Sequence, residues 1–112
     1  MKEPRHCDDY IRDKTMPRCL RLFLLINRVP AYWKYDKWLG KGHPDPVLFA
    51  TLSTDGEYAA HCTKFGVKNG TRVRVVMASR FGDVGITNHL ERPHGYEVRV
   101  PIECLKDFSE TP

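Results

Sequence analysis

Residues 31–42, AYWKYDKWLGKG, interleave aromatic rings with lysines. That mixture suits single-stranded nucleic acid, because ring faces stack on bases while ammonium groups follow phosphates. Tyr32 and Trp33 are the candidate stacking residues. Lys34, Lys37 and Lys41 are the candidate phosphate contacts, with Arg21 and Arg28 adding charge upstream. The same residue types suit a protein groove, since Trp and Tyr are frequent interface anchors. They also describe an amphipathic helix that packs Tyr35, Trp38 and Leu39 inward and leaves its lysines in water. The residues alone leave all three readings open.

A second candidate is the pair Arg80-Phe81. An exposed Phe beside an Arg can stack on a base or enter a protein pocket, or it can simply close one end of the fold. Arg72, Arg74 and Arg99 fall on the outward positions of alternating segments and form a basic patch if those segments pair, interrupted by Glu97. Charges on outward strand positions also serve to block edge pairing.

Metal chemistry has poor support. The four cysteines, Cys7, Cys19, Cys62 and Cys104, contain no C-x-x-C pair. His6-Cys7 with Cys19, or His61-Cys62 with Cys104, lack the two-to-four-residue ligand spacing of a structural zinc site. Buried, reduced thiols are the expectation for Cys62 and Cys104, with no metal and no cofactor. Catalysis is equally weak. Cys62 with His61 or His89 and Asp83 could form a nucleophilic site only if the fold gathered them. There is no nucleophile elbow, phosphate loop or HExxH helix. The chain is expected to bind rather than to catalyse.

With 112 residues the chain is expected to form one domain with its own core. The longest apolar run, residues 22–26, is too short to span a bilayer. It makes a poor secretory leader behind Asp8, Asp9 and Asp13. A cytoplasmic location, reduced thiols and no membrane partner follow as expectations. The net charge of +4 is unevenly spread: residues 1–46 hold ten Lys/Arg against six Asp/Glu, while residues 47–112 hold eight of each. Residues 12–41 alone carry eight basic and two acidic side chains, a local +6. An electrostatic partner would meet this N-terminal part first.

These residues need elements to hold them. Residues 1–17 read as an arm with a helical turn around 8–13, and residues 18–29 fit either a helix or a buried strand. Pro30 suits the first position of a short helix over about 31–39, closed by Gly40. Residues 41–46, KGHPDP, make a linker. From Val47 the apolar period becomes two. Residues 47–52 read as a strand, Asp55-Gly56 as a hairpin turn and residues 58–65 as the return strand. Asn69-Gly70 is a second turn. Residues 71–77 follow as a strand with Val73, Val75 and Met77 inward, and residues 84–87 continue it after a bend. Residues 88–95 form a loop. Residues 96–100 alternate with Tyr96, Val98 and Val100 inward. A helical turn at 102–105 follows Pro101, and Phe108 covers one end. About five short strands predict a small barrel or strongly bent sheet.

Residues 70–87, GTRVRVVMASRFGDVGIT, carry a more specific pattern. Gly70 is a turn glycine, Val73 and Val75 alternate, Arg80-Phe81 forms a basic-aromatic bend, and Gly82 and Gly85 stand three apart. This stretch resembles the KOW motif of SH3-like small β-barrels, with Ala78 where that motif has glycine and Thr87 where it has a larger apolar residue. The resemblance implies a barrel that binds RNA, ribosomes or RNA polymerase partners. It also implies that the bend, here Ser79, Arg80, Phe81 and Asp83, contacts the partner.

The expected fold is α+β, mainly β. It comprises an SH3-like small antiparallel β-barrel with a C-terminal turn over 47–112, preceded by a basic segment over 1–46. The expected function is a non-enzymatic binding module associated with RNA, DNA or a nucleoprotein machine. The alternative is a protein-interaction module, a small inhibitor or adaptor on a host protein complex, of a size that fits a phage or mobile-element accessory. A homodimer is the third option.

Overall fold

The computed structural model describes residues 6–27, 40–42, 47–79, 81–91 and 95–112. The helix expected over 31–39 lies outside them. The arm holds a short helix, α1 (Cys7–Arg12), whose third residue Asp9 accepts a hydrogen bond from the His6 N–H at 3.1 Å. The ambiguous segment is a helix, α2 (Arg18–Asn27). Its buried Leu20, Phe23 and Leu24 stand three and four apart, which is helical spacing, while a strand would have buried alternate residues.

Five strands follow: β1 (Leu48–Leu52), β2 (Arg72–Ala78), β3 (Asp83–Thr87), β4 (Val98–Pro101) and β5 (Leu105–Ser109). All pairings are antiparallel, in the order β4-β3-β2-β1-β5. A 3-10 turn, Ile102–Cys104, joins β4 to β5, which lie at opposite edges. That short link dictates the shape. Four residues reach at most about 14 Å, whereas the outer strands of a flat five-stranded sheet lie about 19 Å apart. The sheet must therefore curl until its edges approach at the 3-10 turn. It is nevertheless open, because β4 and β5 do not pair. The closed barrel expected from the strand count does not form.

Inside the curl, Leu48, Ala50, Leu52, Val73, Val75, Val84, Ile86, Val98 and Val100 join one core with Leu20, Phe23 and Leu24 of α2 and with Cys7 and Tyr10 of α1. In β2 the inward alternation stops at Val75. A bulge between Val75 and Met77 returns the strand to register with Ala78 inward, so Met77 is only half-buried, not a core residue. Tyr96 also departs from expectation. It precedes β4, is 45% exposed and lies over Gly85 beside Met77, where a Cβ on Gly85 would meet its Cγ at 2.6 Å.

The largest difference lies between β1 and β2. No return strand follows Asp55-Gly56. Residues Gly56–Lys64 are instead a helix, α3, with Asp55 at its N-cap in extended geometry. Asp is a preferred N-cap, and Glu57, Ala59 and Ala60 favour helix over strand. The end is equally defined. Gly66 takes φ 84, its N–H donates to Thr63 O, and the Val67 N–H donates to Cys62 O at 2.9 Å. This is a Schellman closure with Val67 and Cys62 buried together. The Asn69-Gly70 turn then directs the chain into β2. The Asn69 amide group both donates to and accepts from the Thr54 backbone, at 2.7 and 2.9 Å.

Candidate functional site

Two depressions share Tyr58 and Pro101 as walls. One, of about 430 Å³, lies between Ser53–Asp55 and the 3-10 turn and includes Glu103 and Cys104. The other, of about 260 Å³, lies between Tyr58, the bend at Phe81–Asp83 and the end of β4 at Arg99–Pro101. Together they form a groove along the end of the molecule where the curled edges approach.

The bend and the 3-10 turn are held by hydrogen bonds. The Phe81 N–H donates to Ser79 Oγ at 3.1 Å, the Ser79 N–H to Asp83 O at 2.9 Å, and the Gly82 N–H to Ser79 O at 3.2 Å. Gly82 takes φ 88 there, a conformation that favours glycine. The Gly82 carbonyl accepts from the Ile102 N–H, which locks the bend to the 3-10 turn, and the Ser53 N–H donates to Cys104 O at 2.7 Å. α1 touches the same end: the Tyr10 hydroxyl donates to Glu103 Oε1 at 3.3 Å, and the His6 ring lies 5.8 Å from Phe81. The bonded bend presents Phe81 to solvent at 55% exposure, and the first turn of α3 presents Tyr58 at 46%.

The rim is acidic. Asp55, Asp83 and Glu103 contribute carboxylates, and among the described lining residues the one cation, Arg99, is paired with Asp83 at 2.7 Å. The Cys104 thiol records this field. Burial pushes it above its ordinary range, a hydrogen bond with the Thr54 side chain opposes that, and the Glu103 and Asp55 charges push it up further. Cys62 is likewise raised, first by burial and then by Cys104 beside it. Such thiols stay protonated and make poor nucleophiles. Among the described residues, no group of three or more His, Cys, Asp or Glu could hold a metal ion, and no helix is long and apolar enough to cross a membrane.

The described members of the expected basic sites are dispersed. Arg28, Tyr32, Trp33, Lys34, Lys37 and Arg80 lie outside the described residues. Lys41 is exposed. Arg21 donates from Nε to Ile11 O at 2.9 Å, satisfying a carbonyl at the end of α1. Arg72 reaches across β1 to Thr51 Oγ1, the Asp107 carbonyl, Ser109 Oγ and the Thr111 carbonyl. Arg74 donates to Leu90 O at 3.1 Å and covers the Phe49 ring, its guanidinium carbon 5.6 Å from the centroid. Arg72 and Arg74 thus share the outer sheet face, half-buried and bonded within the chain, while Arg99 stands at the groove with Asp83. Of the expected site residues, Phe81, Asp83 and Arg99 line the groove. Sequence reasoning missed Asp55, Tyr58, Pro101 and Glu103 as site residues. The signal that could have found Tyr58 was the helix-closing Gly66-Val67 pair, which places it on the first turn of an exposed helix. Set against protein-family models, curated proteins and solved structures, the chain finds no match in any of the three.

Proposed function

We propose that this chain is a protein-interaction module built on an SH3-like scaffold, which holds a peptide segment of a partner protein in the groove between Tyr58 and Phe81. The observation that carries this reading is the pair of exposed rings, Tyr58 and Phe81, on two walls of one groove with a carboxylate rim. Exposed aromatics beside shaped apolar walls are typical anchors for a partner side chain. A carboxylate rim repels phosphate, so this groove favours protein over nucleic acid. The SH3-like part of the proposal draws on a curled five-stranded sheet whose last strand returns beside the first. The KOW-like glycines each have a physical task that agrees with it, Gly82 in the positive-φ bend and Gly85 beneath Tyr96. A cytoplasmic location belongs to the same proposal, since all four cysteines are free.

Nucleic-acid binding through residues 12–41 is the second reading, favoured by their local charge of +6. One comparison separates the two: affinity capture from extract with and without nuclease, using the wild-type chain and the Tyr58→Ala/Phe81→Ala variant. The groove reading expects a partner that survives nuclease and is lost with the variant. Loss of every partner under nuclease would refute it and leave the electrostatic reading standing.

A further inference from the structure

We infer that the groove recognises a cationic side chain of its partner peptide: a lysine or arginine whose stem lies on the Tyr58 ring and whose head meets Glu103 and Asp55, followed by an apolar residue against Phe81 and Pro101. This rests on the protein-interaction reading above.

The argument is one of charge and shape. The larger depression is walled by one ring, Tyr58, and by two carboxylates from different elements, Asp55 at the start of α3 and Glu103 in the 3-10 turn. Asp55 stands at the N-cap position of α3 without a side-chain cap hydrogen bond, so its carboxylate lies near the positive end of that helix and remains open to a ligand. Glu103 lies in a single 3-10 turn, too short to carry a comparable dipole. Its described contact is the Tyr10 hydroxyl on Oε1, a neutral donor that leaves the negative charge in place. The neighbouring depression differs. There Asp83 is neutralised by Arg99, and the remaining walls are Phe81, Val100 and Pro101. One half of the groove is therefore acidic and the other apolar, with Tyr58 common to both. A long cationic side chain matches the first half because its methylene stem packs on an aromatic face while its head seeks carboxylates. An aliphatic residue matches the second. The site sits on a chain of net charge +4, so its negative local field runs against the protein as a whole and sets this surface apart from its surroundings.

The test selects short random peptides displayed on phage against the immobilised full chain. The selected peptides are then titrated into wild type, Tyr58→Ala and the Asp55→Asn/Glu103→Gln double variant. The Asp55 side chain makes no cap hydrogen bond to lose, and Gln keeps an oxygen for Tyr10, so the double variant removes charge and leaves the frame. Unchanged urea midpoints verify this. Selected peptides should carry Lys or Arg, bind about tenfold more weakly to the double variant and weaken further in salt. Replacing that lysine by norleucine should cause a loss that is not additive with the variant's. Peptides that need Tyr58 but ignore the double variant, or that are neutral or acidic, would overturn the cationic assignment and keep the groove. Failure to select any Tyr58-dependent peptide would overturn both.

Discussion

The outer sheet face and the end groove use charge in opposite ways. On the outer face, Arg72 and Arg74 turn their guanidinium groups onto carbonyls and hydroxyls of β1, β5 and the loop after β3. Their charge holds the molecule together. In the groove, Glu103 and Asp55 sit at the rim of a depression beside an exposed tyrosine. That charge is directed at solvent, where the proposed peptide would meet it. Side chains of the first kind should cost stability when removed. Those of the second kind should cost binding and leave the fold intact.

The largest effect is expected away from the groove, at Gly85. A valine there would drive its Cβ into Tyr96 Cγ and Met77 Cγ, 2.6 and 2.7 Å away. Overpacking of this kind costs about 3 kcal/mol, read as a lower urea midpoint. Arg72→Ala should follow at about 2 kcal/mol, because it removes several charge-assisted hydrogen bonds and the packing of a long stem. Tyr58→Ala, by contrast, should change the midpoint by less than about 0.5 kcal/mol. Equal losses for Arg72→Ala and Tyr58→Ala would break the comparison.

The buried thiols give a pH signature. Cys62, Cys104 and Cys19 are all raised above the ordinary value of 9.0, chiefly by burial. The unfolded chain releases these protons near that pH while the folded chain keeps them. Stability is therefore fully present below about pH 9 and falls as pH rises toward the folded values. The slope is up to about 1.4 kcal/mol per pH unit for each thiol. Urea melts between pH 8 and 10 would show it, and Cys62→Ala/Cys104→Ala should reduce the slope to the Cys19 contribution.

The smallest effect sharpens the outer face. Asp107 holds φ 53 at the bulge where β5 gains a residue on β1, and Arg72 binds its carbonyl. Left-handed backbone strains an L-residue, so Asp107→Gly should stabilise the chain by about 0.5 kcal/mol, after the entropy of the new glycine is deducted. A calorimetric melt resolves that gain.

Much of the sheet was legible because alternation reports a half-buried strand directly: residues 47–52, 71–77 and 84–87 foreshadow β1, β2 and β3. The turn at Asn69-Gly70 and the helical turn after Pro101 were legible from backbone preference alone. α3 was not, because Asp-Gly serves equally as a hairpin turn and as an N-cap followed by a permissive residue, and the decision lay ten residues on, at Gly66-Val67. The groove was hidden for a related reason. Its walls come from residues 53–58, 81–83 and 99–104, which only the curl of the sheet brings together, and Tyr58 faces it only as part of a helix. The arginines misled because an outward strand position does not reveal whether a long side chain reaches water or a neighbouring carbonyl.

The most direct test of the two-surface account is a map of backbone amide shifts as the nuclease-resistant partner, or its selected peptide, is titrated into the chain. The account predicts shifts concentrated at Asp55, Tyr58, Phe81, Gly82 and Glu103, with Thr51, Arg72, Arg74 and Leu90 unmoved. Shifts centred on Thr51, Arg72, Arg74 and Leu90, with a silent groove, would contradict it.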